Sequence, residues 1–247
     1  MRSKRKLLTF MQGFIIINLL WYFLARLLSL RVLPTPLMVY QNMNLLYTDK
    51  IYQHILASLY RVISGLSISL IFGIGIGLLM AYSRVWNKFL SPLIYFTYPI
   101  PKTVFLPIIM LLFGLGDSSK ITLIVLIVIF QVIVSTRDAI LNIPQDTYHL
   151  IRSLGPSKRQ IFIHVTLPAV LPELLTNLRL SVGTALSILF FAEAYGTHYG
   201  IGYYILDTWS RMDYISMYLG VITISLLGFV LFIAVDILEE YVCRWKV

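Results

Sequence analysis

The chain predicts an all-α membrane protein of six transmembrane helices, and three observations carry that reading. Hydrophobic residues make up 58% of the 247 positions and charged residues 13%; with a mean hydropathy of +0.82, there is too little polar surface to cover a water-soluble globule. The apolar residues fall into uncharged runs at 7–25, 62–83, 89–101, 103–116, 121–136, 180–192 and 214–235. A hydrocarbon core about 30 Å thick takes about 20 helical residues, so these runs are the spans. Pro99, Pro101 and Pro107 flank Lys102 between the third and fourth runs. Those two therefore join as one helix broken in the middle, which leaves six spans.

The first run follows Arg2, Lys4, Arg5 and Lys6. It is too long for a signal-peptide core and has no small-x-small cleavage site before Leu28, so it reads as a retained span with a cytoplasmic N-terminus. Basic residues then place the other inner positions at Arg84 and Lys88, at Arg137, Arg152, Lys158 and Arg159, and at Arg244 and Lys246. The outer loops hold Arg31, Lys50, Lys120 and Arg211. The net charge of +9 is mostly an orientation signal. No basic patch with interleaved aromatics lies outside a membrane flank, which argues against nucleic acid as a partner and leaves membrane lipid as the surrounding medium. The single cysteine, Cys243, excludes an internal disulfide and faces a reducing compartment at the inner end of the last span.

In the second span Gly65, Ser69, Gly73, Gly77 and Ala81 recur every four residues, a face on which another helix backbone approaches closely. The run Gly73-Ile-Gly75-Ile-Gly77 is no dinucleotide fingerprint, because no strand precedes it and the spacing is wrong. Arg61, on the same face, either snorkels to the interface or meets a buried partner. At the break, Pro99, Pro101 and Lys102 are pathway candidates: freed carbonyls and an ammonium facing water would attract an anionic solute, whereas a lysine near the outer surface would only snorkel. Glu193, after the fifth span, is either an ion pair inside the bundle, with Arg179 or Arg61, or a gate on the pathway. The glycines Gly196, Gly200 and Gly202 make a flexible turn, and 203–209 is apolar but too short to span, which suits a re-entrant or interfacial piece.

Residues 146–168 form a basic, amphipathic insert between apolar segments. Pro144 and Asp146 open a short helix, and Gly155 stops it with a left-handed cap. From Ser157, the sequence Lys158, Arg159, Ile161, Phe162, Val165 gives a second short helix with one apolar face, ended by Leu167-Pro168 before the next span. A short water-exposed helix with an apolar face seeks a groove on a partner.

The spacing of Gly155, nine residues, Val165, one residue and Leu167-Pro168 resembles the signature loop of permease subunits of ATP-binding-cassette (ABC) importers, Glu-Ala-Ala-x3-Gly-x9-Ile-x-Leu-Pro. Ser-Leu-x-Arg-Val at 58–62, Gly-Leu-Leu-Met-x-x-Ser-Arg at 77–84, Pro-Ile-Pro-Lys with Pro107, Phe-Gly-x-Gly-x-x-Ser-Lys at 113–120, Leu-Arg-Leu at 178–180 and Ala-Glu at 192–193 extend the likeness. Residues 51–247, about four-fifths of the chain, resemble the nitrate, sulfonate and taurine branch of that family. The departure is at His149-Leu150-Ile151, where the family has Glu-Ala-Ala.

The resemblance implies the type I importer permease fold with cytoplasmic coupling helices, in the cytoplasmic (inner) membrane of a bacterium. It divides the chain into a permease core, 51–247, and an N-terminal helix with its outer loop, 1–50. Cytoplasmic ABC ATPase subunits would dock on His149, Gly155, Ser157, Lys158, Arg159, Ile161, Phe162, Val165, Leu167 and Pro168. A second permease copy would complete a homodimer, and a periplasmic or lipid-anchored binding protein would deliver the solute. No Gly-x4-Gly-Lys-Ser/Thr loop is present, so no cofactor is expected on this chain; ATP and magnesium belong to the ATPase. His54, His149, His164 and His198 are scattered without metal spacing or a hydrolase triad, and no enzyme site is expected. The solute expected is a small anion such as a sulfonate, taurine or nitrate; relatives with similar motifs carry thiamine or pyrimidine precursors. An ion-coupled secondary transporter would need an internal repeat and membrane carboxylates, and only Glu193 is in place.

Overall fold

The computed structural model describes residues 2–153 and 155–246, with side chains from 12 to 153 and from 155 to 245, so the basic side chains at 2–6 and Lys246 lie outside the described residues. Twelve α-helices and no strand are found among the described residues: α1 (Arg2–Leu28), α2 (Pro36–Gln41), α3 (Leu45–Thr48), α4 (Ile51–Tyr82), α5 (Arg84–Thr97), α6 (Leu106–Phe113), α7 (Asp117–Leu141), α8 (Gln145–Arg152), α9 (Lys158–Ile161), α10 (Leu167–Glu193), α11 (Ile201–Ser210) and α12 (Tyr214–Val242). By length and hydropathy α4, α7, α9 continuing into α10, and α12 each suffice to cross a membrane. The α5–α6 pair passes the same test as one broken span, and α1 contributes a shorter apolar stretch, Gln12–Leu28.

The centre of the bundle is the pair α4 and α7, joined along the glycine face. A Cβ on Gly65 would lie 2.6 Å from Ile124 Cγ2, one on Gly73 2.8 Å from Val132, and one on Gly77 2.6 Å from Thr136 Cβ. Only hydrogen fits there, so the two backbones approach closely and gain dispersion contacts that lipid cannot match. Ser69, fully buried, satisfies its hydroxyl on the Gly65 carbonyl at 2.8 Å. Val62, Leu66, Leu123, Val128, Val182 and Leu189 extend this core onto α10.

Between α5 and α6 the chain turns through 83°. Ser83 caps α5 by accepting from Trp86 N at 3.4 Å. Pro99 and Pro101 then withhold amide donors, and a 3-10 turn at Lys102–Phe105 restarts the helix, with Pro107 in the first turn of α6, where no donor is needed.

α1 sits at the periphery. Trp21 donates to the Pro34 carbonyl at 3.0 Å and stacks on Tyr218, and Tyr40 donates to Asn18 at 2.7 Å, while most of its leucines and isoleucines are exposed. α11 is buried along one side by Ile201, Tyr204 and Ile205 and packs against α10, α4 and α12. Tyr204 donates to Asp49 at 2.7 Å. Burial, and then that bond, push its ionisation above the usual tyrosine range, so the phenol remains a donor.

Candidate functional site

At one end of the bundle, α8 and α9 form the basic insert. Gly155 has φ 72° and open space around its Cβ position, so its role is the left-handed turn and not a close approach. Ser157 caps α9 reciprocally: it accepts from Gln160 N at 3.3 Å, while the Gln160 side chain accepts from Ser157 N at 2.8 Å. The Ser-x-x-Gln spacing signals this capping box in the sequence.

The helix does not stop at Leu167-Pro168, as the sequence reading expects. It widens into a π turn over Phe162–Thr166 and continues as α10. Leu167 N bonds to Phe162 O five residues back, and the wider turn accommodates the ring and missing donor of Pro168 without a break. His149, Gly155, Ser157, Lys158 and Arg159 are exposed, and Ile161, Phe162 and Val165 half-buried. Leu167 is exposed and Pro168 half-buried on the first turn of α10. Leu150, in the departure from the family pattern, is 72% exposed, an apolar side chain facing outward on the insert.

The insert is tied to the spans through Thr166, which is buried. Tyr82, at the end of α4, donates to Thr166 Oγ1 at 3.1 Å, and Tyr148 of α8 shares the same oxygen at 3.0 Å. Tyr82 also meets Phe162 edge-on at 6.4 Å.

At the opposite end lies a buried charge cluster. Arg61, 3% exposed, donates from Nη1 to Glu193 at 2.6 Å and to the Tyr199 carbonyl at 2.8 Å, from Nε to Asp117 at 2.7 Å, and from Nη2 to Thr197 at 3.2 Å. Glu193 has no exposed surface; it also accepts from Ser58 at 2.8 Å and from Gly202 N at 2.9 Å, at the positive N-terminus of α11. Ser58 in turn accepts from Ile201 N at 2.9 Å. His54 Nδ1 lies 3.2 Å from Gly200 N and 3.0 Å from Gly200 O, and its tautomer selects the bond. Together these bonds hold residues 197–202 against α4 and α7.

Of the two partners open to Glu193 from sequence, the structure brings Arg61; Arg179 instead pairs with Asp236 and, at 2.8 Å, with Glu239. Lys120 is not the outer-loop surface charge the sequence suggests. It is fully buried, donating to the carbonyls of Leu115 and, at 3.1 Å, of Gly196, because Gly114 and Gly116 turn the chain so that a carbonyl faces inward. Lys102, half-buried, donates to the carbonyls of Thr97 and Tyr98 at 3.1 and 3.0 Å and lies 4.8 Å over the Phe130 ring. Its ammonium thus caps α5 and makes a cation–π contact at the break. Pro99 and Pro101 beside it are exposed.

Sequence reasoning missed His54, Ser58, Asp117 and Thr197. The signal existed for the first two, since His54, Ser58 and Arg61 fall at four- and three-residue spacing on one helical face. Asp117 is the first residue of α7 and Thr197 lies in the turn after α10, and the approach of both to that face is a tertiary fact. The knot of Tyr82, Tyr148 and Thr166 was equally hidden, three uncharged residues from separate segments.

A bundle of helices long and apolar enough to cross a membrane, with a basic two-helix insert at one end, defines an integral membrane protein. The chain belongs to the family of binding-protein-dependent transport system inner membrane components, whose family model matches residues 73–243. It is 30% identical to the taurine transport system permease protein TauC of Escherichia coli (strain K12), over 91% of this chain and 85% of the relative. It is 29% identical to the putative aliphatic sulfonates transport permease protein SsuC of Bacillus subtilis (strain 168), over 98% and 90%, and 28% identical to the formylaminopyrimidine transport permease protein ThiX of Halalkalibacterium halodurans, over 94% of each. Among solved structures, a chain of the inward-facing MetNI methionine ABC transporter shares the fold with a TM-score of 0.66 at 18% identity, covering 77% of this chain and 95% of that one. The chain is therefore a type I ABC importer permease, a non-catalytic integral membrane subunit. ATP hydrolysis and solute capture belong to separate partners, an ATPase and a binding protein.

Proposed function

We propose that this permease moves a small organic anion of the sulfonate class across the cytoplasmic membrane of a bacterium, with both termini inside and two copies forming the pathway. The observation that carries the substrate class is the likeness, over nine-tenths of the chain or more, to permeases named for taurine and aliphatic sulfonates. Two half-buried cations on neighbouring segments, Lys102 and Arg137, agree with an anionic solute. Residues 51–247 act as the core, with 1–50 as an added helix and outer loop.

In this reading the insert at 146–168 is the ATPase contact. ATP and magnesium are held by the ATPase, whose closure pushes α8 and α9; the bonds of Tyr82 and Tyr148 to Thr166 carry the push into α4 and α10. Because α9 runs through the π turn into α10 with no loop between them, a displacement of the insert moves a span as a rigid lever. The cluster around Arg61 and Glu193 holds the far end while this occurs.

The test is uptake by vesicles reconstituted with this chain, its ATPase and its binding protein. ATP-dependent uptake of labelled taurine or ethanesulfonate supports the reading. Uptake of formylaminopyrimidine in their place overturns the substrate class in favour of a pyrimidine precursor.

A further inference from the structure

A groove of about 690 Å³ runs between α5 and α7, a size that suits a small solute. Its walls come from Ser91, Tyr95, Tyr98, Pro99, Val134 and Arg137. We propose that this groove is a binding site for the anionic head of the transported solute, with Arg137 as the cation that receives it; the proposal rests on the permease reading above and deepens its substrate class.

The geometry of Arg137 leaves one edge of the guanidinium available. Asp138 holds the other, accepting from Nε at 2.8 Å and lying 2.7 Å from Nη2. Nη1 reaches only Ser91 Oγ at 3.5 Å, beyond the usual length of an N–H···O bond. The Ser91 hydroxyl donates away from it, to Asn87 at 2.8 Å. A donor with so little engaged, in an arginine whose side chain is only 22% exposed, can donate to an oxygen of a sulfonate or carboxylate at little desolvation cost.

The other groups fit the same ligand. Tyr95 and Tyr98 are exposed and their hydroxyls have no hydrogen-bond partner among the described residues, so they are free to donate. Ile94, Pro92 and Val134 supply an apolar floor for the carbon part of an organic anion. Lys102 stands 5.6 Å from the Tyr98 ring, at the break that ends the groove. Arg137 is the one charged residue in the groove's lining; Lys102, beyond Pro99, adds a second positive charge nearby against the carboxylate of Asp138, a field that repels a cationic solute and draws an anionic one.

The test uses the assembled complex in vesicles, with Cys243→Ser to remove the native thiol and Ser91→Cys as the reporter. Rates of modification are measured with the anionic sulfonatoethyl and the cationic trimethylammonium-ethyl methanethiosulfonates, and their ratio is normalised to that of a free thiol in solution. The expected ratio favours the anion about tenfold, falls to the free-thiol value in Arg137→Gln, and is largely kept in Arg137→Lys. Ethanesulfonate should slow the reaction. A thiol unreactive toward both reagents, meaning a groove filled by lipid or a neighbouring helix, overturns the proposal, and so does a ratio that Arg137→Gln leaves unchanged. Full sulfonate uptake by Arg137→Gln overturns the groove and leaves the substrate class standing. A persistent Arg137-dependent ratio without uptake of any sulfonate overturns the substrate class and leaves the anion site standing.

Discussion

Arg61 and Glu193, 132 residues apart in sequence, meet at 2.6 Å, Glu193 with no exposed surface and Arg61 with 3%. Every partner around them is a group that needs one or the other charge: Ser58, Gly202 N, the Tyr199 carbonyl, Thr197 and Asp117. Removing one charge strands the rest. Glu193→Ala should cost about 3–5 kcal/mol by leaving a buried guanidinium short of its closest partner. Glu193→Gln, which keeps an acceptor for Ser58 and Gly202, should cost less. Thermal unfolding of the purified complex reads the order; equal melting temperatures for the native chain and Glu193→Ala would show the pair to be dispensable.

Gly200 tests the same cluster from the loop side. Its φ is 136°, and a Cβ there would lie 2.3 Å from the Glu193 carboxyl carbon. Gly200→Ala combines backbone strain with displacement of the ion pair, so its melting temperature should fall at least as far as that of Glu193→Gln. A melting temperature at the native value would mean that the 197–202 turn shifts freely away from Glu193.

The seam between α4 and α7 predicts a contrast within one helix. Gly73→Leu would drive a side chain into Val132, whereas Gly75 has nothing within 4 Å and Ser67 is exposed. Yield of assembled complex should fall severalfold for Gly73→Leu and stay near the native level for Gly75→Leu and Ser67→Leu. Equal yields from the three variants would refute the seam.

What the sequence makes legible follows from periodicity. The four-residue spacing of Gly65, Ser69, Gly73 and Gly77 is a one-dimensional signal of a helix face, and the structure places that face on α7. The left-handed turn at Gly155 is also local, since glycine adopts a φ of 72° without the penalty other residues carry. Leu167-Pro168 misleads because a proline ordinarily ends a helix; a π turn, which depends on a hydrogen bond five residues back, lets it open one instead. The charge cluster was half visible: Arg61 and Glu193 stand out as charges beside apolar runs, but Asp117, at the start of α7, and Thr197, in the turn after α10, reach them only once the helices have packed. Lys120 reads as a surface charge for the same reason, because its carbonyl partners come from turns.

Gly155 separates backbone from packing. Gly155→Val meets no neighbour, yet a β-branched residue at φ 72° carries a penalty of about 1–2 kcal/mol and shifts the path into α9. Because α9 continues into α10, the altered entry should uncouple hydrolysis from transport: solute uptake per ATP hydrolysed should drop severalfold, with assembly kept. Simultaneous uptake and hydrolysis assays decide it. Native stoichiometry in Gly155→Val would remove the insert from the coupling path.

Lys102 combines two roles that substitution can part. Its ammonium donates to the last carbonyls of α5, at Thr97 and Tyr98, and brings a positive charge to the break beside the Phe130 ring. Lys102→Gln keeps an amide donor for one of those carbonyls and removes the charge, so the helix end should hold while the attraction for an anion is lost. Lys102→Arg keeps the charge on a wider, planar head with a different donor geometry. With the binding protein saturated, uptake of an anionic solute should fall about tenfold in Lys102→Gln and recover in part in Lys102→Arg, with complex assembly unchanged in both. Native uptake in Lys102→Gln would confine the residue to capping α5, and Arg137 would then be the groove's sole cation for the anion.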